Sequence, residues 1–310
     1  MLFLYTNQSF AQKDTITNPY FYSYDDKLSV DTFILRTSNE WSMQFGDRDE
    51  SIKLKPNKKT SLGIAARYDF ISVALSYAFD FFPGNKDNDT SKTFWYSFDY
   101  CRGQFVQHFD FYYQKGFTLQ DKQLPEATYY PDFKSTKIGG STLYVWNKNF
   151  SFRTTAVRSE KQLISAGSFV SSVGYYYTSL NAEDVEDLSS KATFFDMAFS
   201  PGYYYNWVIA KNYMISGGAT LGAGFTVSDY NGETNTSLLT QGAARLSVGY
   251  NAENVYAGIN SRVNLLNHIY KQKTFVNDEL TYVSFFVGYR FNAPHFVKKT
   301  TKDIKDATGL

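Results

Sequence analysis

The chain has little with which to build a covalent or metal framework. Its one cysteine, Cys101, excludes an internal disulfide and a cysteine-held metal cluster, and within a strand it reads as a small apolar filler. Three histidines occur, His108, His268 and His295, and no partner spacing around them suggests a metal. No run of about 20 apolar residues is present, so a membrane-spanning helix is excluded. Charge of one sign is lacking as well: 31 Lys and Arg stand against 30 Asp and Glu, which argues against a nucleic-acid partner. Neither a glycine-rich phosphate loop nor a nucleotide fingerprint is found, and no cofactor is expected.

What is abundant is Tyr and Phe. There are 26 and 28 of them, and aromatic residues make up 19% of 310 positions. The mean hydropathy of −0.38 alone would read as soluble. Rings at alternating positions instead suit strands that meet lipid and headgroups. "TYVSFFVGYRF", residues 281–291, shows the pattern. Val283, Phe285, Val287, Tyr289 and Phe291 take one side, and Ser284, Phe286, Gly288 and Arg290 the other. The same period of two runs through "ENVYAGINSRVNLL", "AARLSVGY", "NYMISGGATLGAGFTV" and "FISVALSYAF". Eleven residues at about 3.3 Å each, tilted by ~45°, span the apolar band of about 25 Å of an outer-membrane barrel. An arginine on the lipid face would cost about 2–4 kcal/mol at midplane; Arg67, Arg245, Arg262 and Arg290 all take the inward parity. The apolar faces are therefore expected to face lipid.

These patterns predict an all-β fold: a transmembrane, antiparallel, up-and-down β-barrel. The strands are 28–45, 50–69, 71–79, 93–101, 104–119, 136–147, 164–179, 193–208, 211–227, 237–250, 254–266 and 279–291. That makes twelve, or fourteen if 28–45 and 50–69 both divide. Short turns (69–70, 102–103, 211–212, 251–253) alternate with long polar loops (80–92, 120–135, 180–192, 228–236, 267–278). The short ones are expected to be periplasmic and the long ones extracellular, with both termini periplasmic. Pro201-Gly202 is expected to mark a bulge. Residues 148–163 are too long for a periplasmic turn; a strand extension, a small helix and a segment folded into the lumen all remain open.

At the N-terminus, Ser9-Phe10-Ala11 has the small-x-small form of a signal-peptidase site, so residues 1–11 read as the remnant of an export signal cut after Ala11. The missing basic region and short apolar part point to a start upstream of Met1 or to a weak signal. Residues 12–27 then form a periplasmic segment, 28–291 the barrel, and 292–310 a polar periplasmic tail whose default state is disorder.

Three stretches, "LKPNKKTSLGIAARYDFISVALSYAF", "FDFYYQKGFTL" and "NFSFRTTAVRSEKQLISAGSF", resemble successive blocks of the family called domain of unknown function 4421. The Lys55-Pro56-Asn57 and Ser165 to Phe169 blocks are its more specific parts, and the resemblance runs from about Asp25 to Phe291. It implies an outer-membrane barrel of Bacteroidetes with an export signal. It supplies neither a catalytic residue nor a ligand. The tail beyond Phe291 departs from a usual barrel end.

Nine charged or polar residues are expected to line the lumen: Arg67, Asp69, Asp80, Asp99, His108, Asp110, Arg245, Arg262 and Arg290. His108 shares a face with Asp110 and can meet Asp99 across a hairpin. A His–Asp pair is part of a hydrolase skeleton, but the parity that sends Phe105, Phe109, Phe111 and Tyr113 outward turns His108 inward, so a hydrogen-bonding role is expected rather than catalysis. His268 is placed in a loop. Eight strands leave a filled interior and sixteen a channel; twelve predicts a narrow or partly occluded lumen. The acidic run 181–190 reads as a solvated loop, since it lacks calcium-loop spacing. The function expected is a small-solute channel or transporter. A structural subunit that docks other envelope proteins is the alternative, and an outer-membrane lipid hydrolase the minor one. Outer-membrane lipid and lipopolysaccharide are the expected surroundings.

Overall fold

A computed structural model describes residues 18–45, 51–57, 59–86, 90–122, 126–155, 159–185, 190–230, 232–269 and 274–308. The expected signal remnant lies outside the described residues. In chain order the elements are β1 (Phe21–Ser23), β2 (Lys27–Phe45), β3 (Ser51–Pro56), β4 (Thr60–Tyr68), β5 (Ile71–Tyr77), β6 (Lys92–Arg102), β7 (Phe105–Asp121), β8 (Thr128–Val145) and β9 (Glu160–Gln162). There follow β10 (Ala166–Asn181), β11 (Lys191–Ala210), β12 (Tyr213–Tyr230), β13 (Glu233–Asn251), β14 (Val255–Ile269), β15 (Thr274–Asn292) and α1 (His295–Thr308).

Every strand pairs antiparallel with its neighbours, and β15 closes on β2 from Asn292–Lys27 to Thr274–Phe45. The result is a transmembrane β-barrel whose wall has twelve strands, β3 and β4 forming one interrupted strand. Closure satisfies the backbone hydrogen bonds of every wall strand, which hydrocarbon requires. Of the two divisions considered from sequence, β2 remains whole and only 50–69 splits.

The split is a fork. β2 pairs with β4 along Ser29–Arg36 and with β3 along Trp41–Gln44. β4 continues into the short β5–β6 hairpin, whereas β3 zips directly onto β7, Pro56 opposite Phe117. The wall therefore counts twelve strands at the end with the short turns and ten at the end with the long connections. Gly116 makes the switch possible. Its φ of +83° is left-handed, and a Cβ there would lie 2.3 Å from Ser91 Oγ. Asn57 clasps the same point: its N–H donates to the Gly116 carbonyl, and its Oδ1 accepts from Thr118 Oγ1 at 2.6 Å. Buried Asn85 fills the crotch, donating to the Thr60 and Phe79 carbonyls and accepting from the Lys59 and Thr60 amides.

Most wall strands are longer than read from sequence, although β5 and the divided 50–69 are shorter. Most of the expected loop at 228–236 belongs to the β12–β13 hairpin, and the expected loop at 267–278 to β14 and β15. A 19-residue strand such as β15, tilted by ~45°, rises about 44 Å at 3.3 Å per residue, well over the apolar band of about 25 Å. Along β15 the outward positions are apolar from Val283 to Phe291 but polar at Asn277, Glu279 and Thr281. The barrel thus projects beyond the band at the loop end. Within the band the predicted parity holds: Ile34, Phe169, Leu221, Leu246, Ile259 and Phe285 are exposed outward, Leu221 to 74%.

The lumen holds large rings as well as the expected charged residues. Trp95, Tyr112, Tyr256, Tyr282 and Phe286 pack inside it with Phe33 and Leu35. Small inward residues make room for these rings, as at Gly288, where a Cβ would lie 2.2 Å from the Tyr256 ring. The register runs unbroken past Pro201-Gly202, and the irregularity in β11 lies at Val208/Ala210 instead. The tail is not disordered: α1 is a helix whose Lys305 pairs with Asp69 and lies over the Phe70 ring.

Candidate functional site

The middle of the lumen holds a charged cluster built by one hairpin and one strand across from it. The two-residue turn between β6 and β7 sets Asp99 directly opposite His108. His108 Nδ1 lies 2.6 Å from Asp99 Oδ1, and Nε2 lies 2.7 Å from Asp110 Oδ2. Arg262, on β14, reaches over to donate to Asp110 Oδ2 at 3.0 Å and to the Tyr112 hydroxyl at 2.8 Å. Its Nη1 is 2.5 Å from His108 Nε2, which donates to the carboxylate in one tautomer and accepts from the guanidinium in the other. Trp95 Nε1–H completes the shell on Asp110 Oδ1 at 2.9 Å. Charges this buried hold each other; removing one would strand the rest. Cavities of ≈ 50 and ≈ 40 Å³ flank the cluster, both lined by Asp99, His108, Arg245 and Arg262. Such volumes suit water and little else.

Of the nine expected lumen residues, seven face inward. Arg67 pairs with Asp31 and also approaches the Tyr256 hydroxyl. The Arg245 guanidinium lies 5.5 Å from the centre of the Phe152 ring. Arg290 donates to the Ala252 carbonyl, its guanidinium 4.0 Å from the Tyr24 ring centre and 4.3 Å from that of Tyr256. Two expectations fail. Asp69 sits in the β4–β5 turn at φ 53°, pairing with Lys305 on α1, because the strand ends before it. Asp80 is exposed in the connection after β5. The sequence reading also missed Asp31, Lys137, Asp196, Asp278 and His268. Lys137 pairs with Asp278 between the rings of Trp41 and Tyr176. His268 is fully buried on β14, not in a loop, with Nε2 2.9 Å from Asp196 Oδ1. Strict parity through the ends of β2, β8, β11, β14 and β15 would have found all five.

Below the cluster, toward the short-turn end, residues 146–155 and 159–165 fold into the lumen as a plug. Of the three conformations left open from sequence, this is the one adopted. Phe150 and Phe152 pack on Val106, Leu143, Val145, Val170 and Tyr204 of the wall. Polar side chains hold the plug's backbone: Asn206 Nδ2 donates to the Ser151 carbonyl at 2.8 Å, and Asn260 Nδ2 to that of Thr155 at 3.3 Å. Arg153 joins Glu160 at 3.0 Å and Asp25 at 3.0 Å, and also donates to the Asp69 carbonyl. Burial holds the Glu160 carboxyl above its ordinary value, against the opposing pull of Arg153 and Ser151. β9 of the plug pairs with β1, so the N-terminal segment crosses the same mouth.

The projecting, ten-strand end is different. Trp41, Leu54, Phe117, Phe133, Leu180, Phe194 and Val276 point into it, and most of them surround a cup of ≈ 760 Å³. From the acidic run, Ala182 and Val185 turn inward against this group, while Asp184 pairs with Lys134 at 2.5 Å.

With this architecture in place, comparison with known proteins assigns a family. The family model "domain of unknown function (DUF4421)" matches residues 12–291. The chain belongs to the DUF4421 family. Two of the blocks that carried the resemblance now have structural places: Lys55-Pro56-Asn57 at the fork, and Ser165 to Phe169 where the plug rejoins the wall, with Ser168 Oγ accepting from the Asn147 amide. No curated protein matches this DUF4421 chain. Among solved structures, the outer membrane protease OmpT of Escherichia coli is similar at 9% identity and a TM-score of 0.37, over 87% of this chain and 98% of that one. The β domain of the Bordetella autotransporter BrkA is similar at 10% identity and 0.40, over 87% and 100%. An outer membrane channel from Pseudomonas putida is similar at 9% and 0.39, over 86% and 95%. None of these likenesses bears on what the DUF4421 barrel does.

Proposed function

We propose that this barrel is a gated conduit for a small solute in the outer membrane of a Gram-negative bacterium. One observation carries the reading: the short-turn half of the lumen is closed by a segment of chain that is not itself a strand of the wall. A closed barrel with an apolar band fits that membrane. The short turns and both termini then lie on the periplasmic side, with lipid and lipopolysaccharide around the wall. Outward movement of the plug would leave the polar faces of β10, β11, β13 and β14 and the Arg245–Arg262 cluster lining a passage. Planar-bilayer conductance tests this. The intact barrel is expected to be nearly silent, and a variant with residues 148–163 replaced by a short Gly-Ser linker to conduct steadily. A folded deletion variant as silent as the parent would end the reading.

A second reading, a structural subunit that docks other envelope proteins, has one observation in its favour. α1 is pinned by Lys305 yet leaves Phe296 70% exposed. Recovery of the protein alone from crosslinked envelopes would argue against it. The conduit needs no catalysis. Both ring nitrogens of His108 stand against carboxylates, so His108→Ala is expected to leave any lipase activity of a preparation unchanged.

A further inference from the structure

We infer that the cup at the loop end is a binding site for a neutral, apolar small molecule that carries a hydrogen-bond acceptor. The inference deepens the conduit reading by naming what enters, and rests on it only for the direction of travel. Four observations converge. The first is size: ≈ 760 Å³ falls within the roughly 300–1,000 Å³ of small-molecule pockets, twice the ≈ 380 Å³ beside the plug and far above the water-sized cavities that flank the charged cluster. The second is lining. Barrel interiors are ordinarily polar, yet here Trp41, Leu54, Phe133, Leu180, Phe194 and Val276 make the wall. The third is charge. Asp229 and Glu233 line the mouth, and among the described residues no Lys, Arg or His lines the cup. An anion would be repelled at the mouth, and either charge would lose its hydration against the wall with no buried partner. The fourth is a donor. Trp41 is buried, and its indole Nε1–H has no partner among the described residues. A buried donor left unpaired is costly; a small turn of the Trp41 side chain, which lines the cup, would bring it to a carbonyl or ether oxygen on the occupant. Beneath, Lys137 is already committed to Asp278, so the floor offers that oxygen an indole rather than a charge.

The test uses the full chain in lipid nanodiscs, since detergent would itself fill an apolar cup. N-phenylnaphthylamine, neutral and fluorescent in apolar sites, is titrated, with protein-free nanodiscs subtracted. Saturable binding of one probe per barrel is expected, with energy transfer from tryptophan. The anionic analogue anilinonaphthalenesulfonate should bind at least about tenfold more weakly. Acetylnaphthalene should displace the probe several-fold better than ethylnaphthalene, and Trp41→Phe should erase that preference while leaving probe binding. Leu180→Asp should weaken probe binding about tenfold or more; should that variant fail to give the heat-modifiable folded band, Leu180→Gln takes its place. A probe signal equal to that of empty nanodiscs, or one unmoved by the Leu180 variants, overturns the site. An acetylnaphthalene preference that survives Trp41→Phe overturns the acceptor requirement. Binding is read without transport, so a silent plug-deletion variant with an intact cup would sink the conduit alone, and the converse result the cup alone.

Discussion

Within one wall, the two halves of the barrel obey opposite rules. In the short-turn half β15 turns Val283, Phe285 and Val287 outward and Ser284 and Arg290 inward. A few residues earlier the same strand turns Asn277 and Glu279 outward and Val276 and Leu280 inward. The pleat is continuous; only the solvent changes. Where hydrocarbon surrounds the wall, the inside must carry the charges and compensate them, as Asp99, Asp110 and Arg262 do. Where water surrounds it, apolar residues are driven inside, as in any soluble sheet. Strand parity alone is thus an incomplete reading. The sign of the pattern has to be taken at each height.

The largest effect that separates the halves is expected at the charged cluster. Arg262→Met leaves Asp110 without its cation and should destabilise the barrel by about 3–5 kcal/mol, read as a fall in the urea midpoint in lipid vesicles. A change below about 1 kcal/mol would mean that the cluster is solvated like a surface pair. The fork, which divides ten strands from twelve, comes next. Gly116→Val, with φ +83° and Ser91 Oγ in its path, should cost about 1–3 kcal/mol. Gly232→Ala has a similar φ of +87° but nothing within 4 Å among the described residues, so about 1–2 kcal/mol is the most it should cost. Equal losses at the two glycines would remove the steric part of the argument.

Smaller still is the pH effect on the plug. Glu160 has its seated pKa raised from 4.5, chiefly by burial, so the seated plug binds the proton more tightly than the released one. Seating is therefore strongest below 4.5 and weakens as pH rises through the seated value. Hydrogen exchange in 149–155 should quicken over that window by a few-fold, up to about tenfold, and Glu160→Gln should flatten the profile. The opposite slope would refute the assignment. The smallest effect is at α1. Lys305→Ala breaks a partly exposed pair with Asp69 and should cost no more than about 1 kcal/mol, seen as faster exchange in the helix with the barrel unchanged.

Much of this was legible beforehand. The twelve wall strands, the outward parity of 281–291 and the meeting of Asp99, His108 and Asp110 all follow from period-two spacing and a two-residue turn. What escaped has a physical reason. Residues 228–236 and 267–278 read as loops because their outward side chains are polar, and that is how a strand beyond the lipid should look. Asp278 and His268 were lost with the second of those stretches, whereas Lys137 lay within the expected strand 136–147 and was overlooked there. Asp69 and Asp80 were carried past the ends of β4 and β5 by extending parity into connections, where it has no meaning. The plug was undecidable because Phe150 and Phe152 find partners on several different wall strands, contacts that no local pattern encodes.

The branch point at Gly116 says something about how such walls change size. Carried down without slippage, the alignment that sets Pro56 opposite Phe117 would bring Tyr68 opposite Phe105, the residues on which β4 ends and β7 begins. A ring lacking β5 and β6 could then seal along one seam, joined there by a tight turn. The pair behaves geometrically as a wedge driven into a smaller cylinder, which allows circumference to grow two strands at a time while every other seam keeps its alignment.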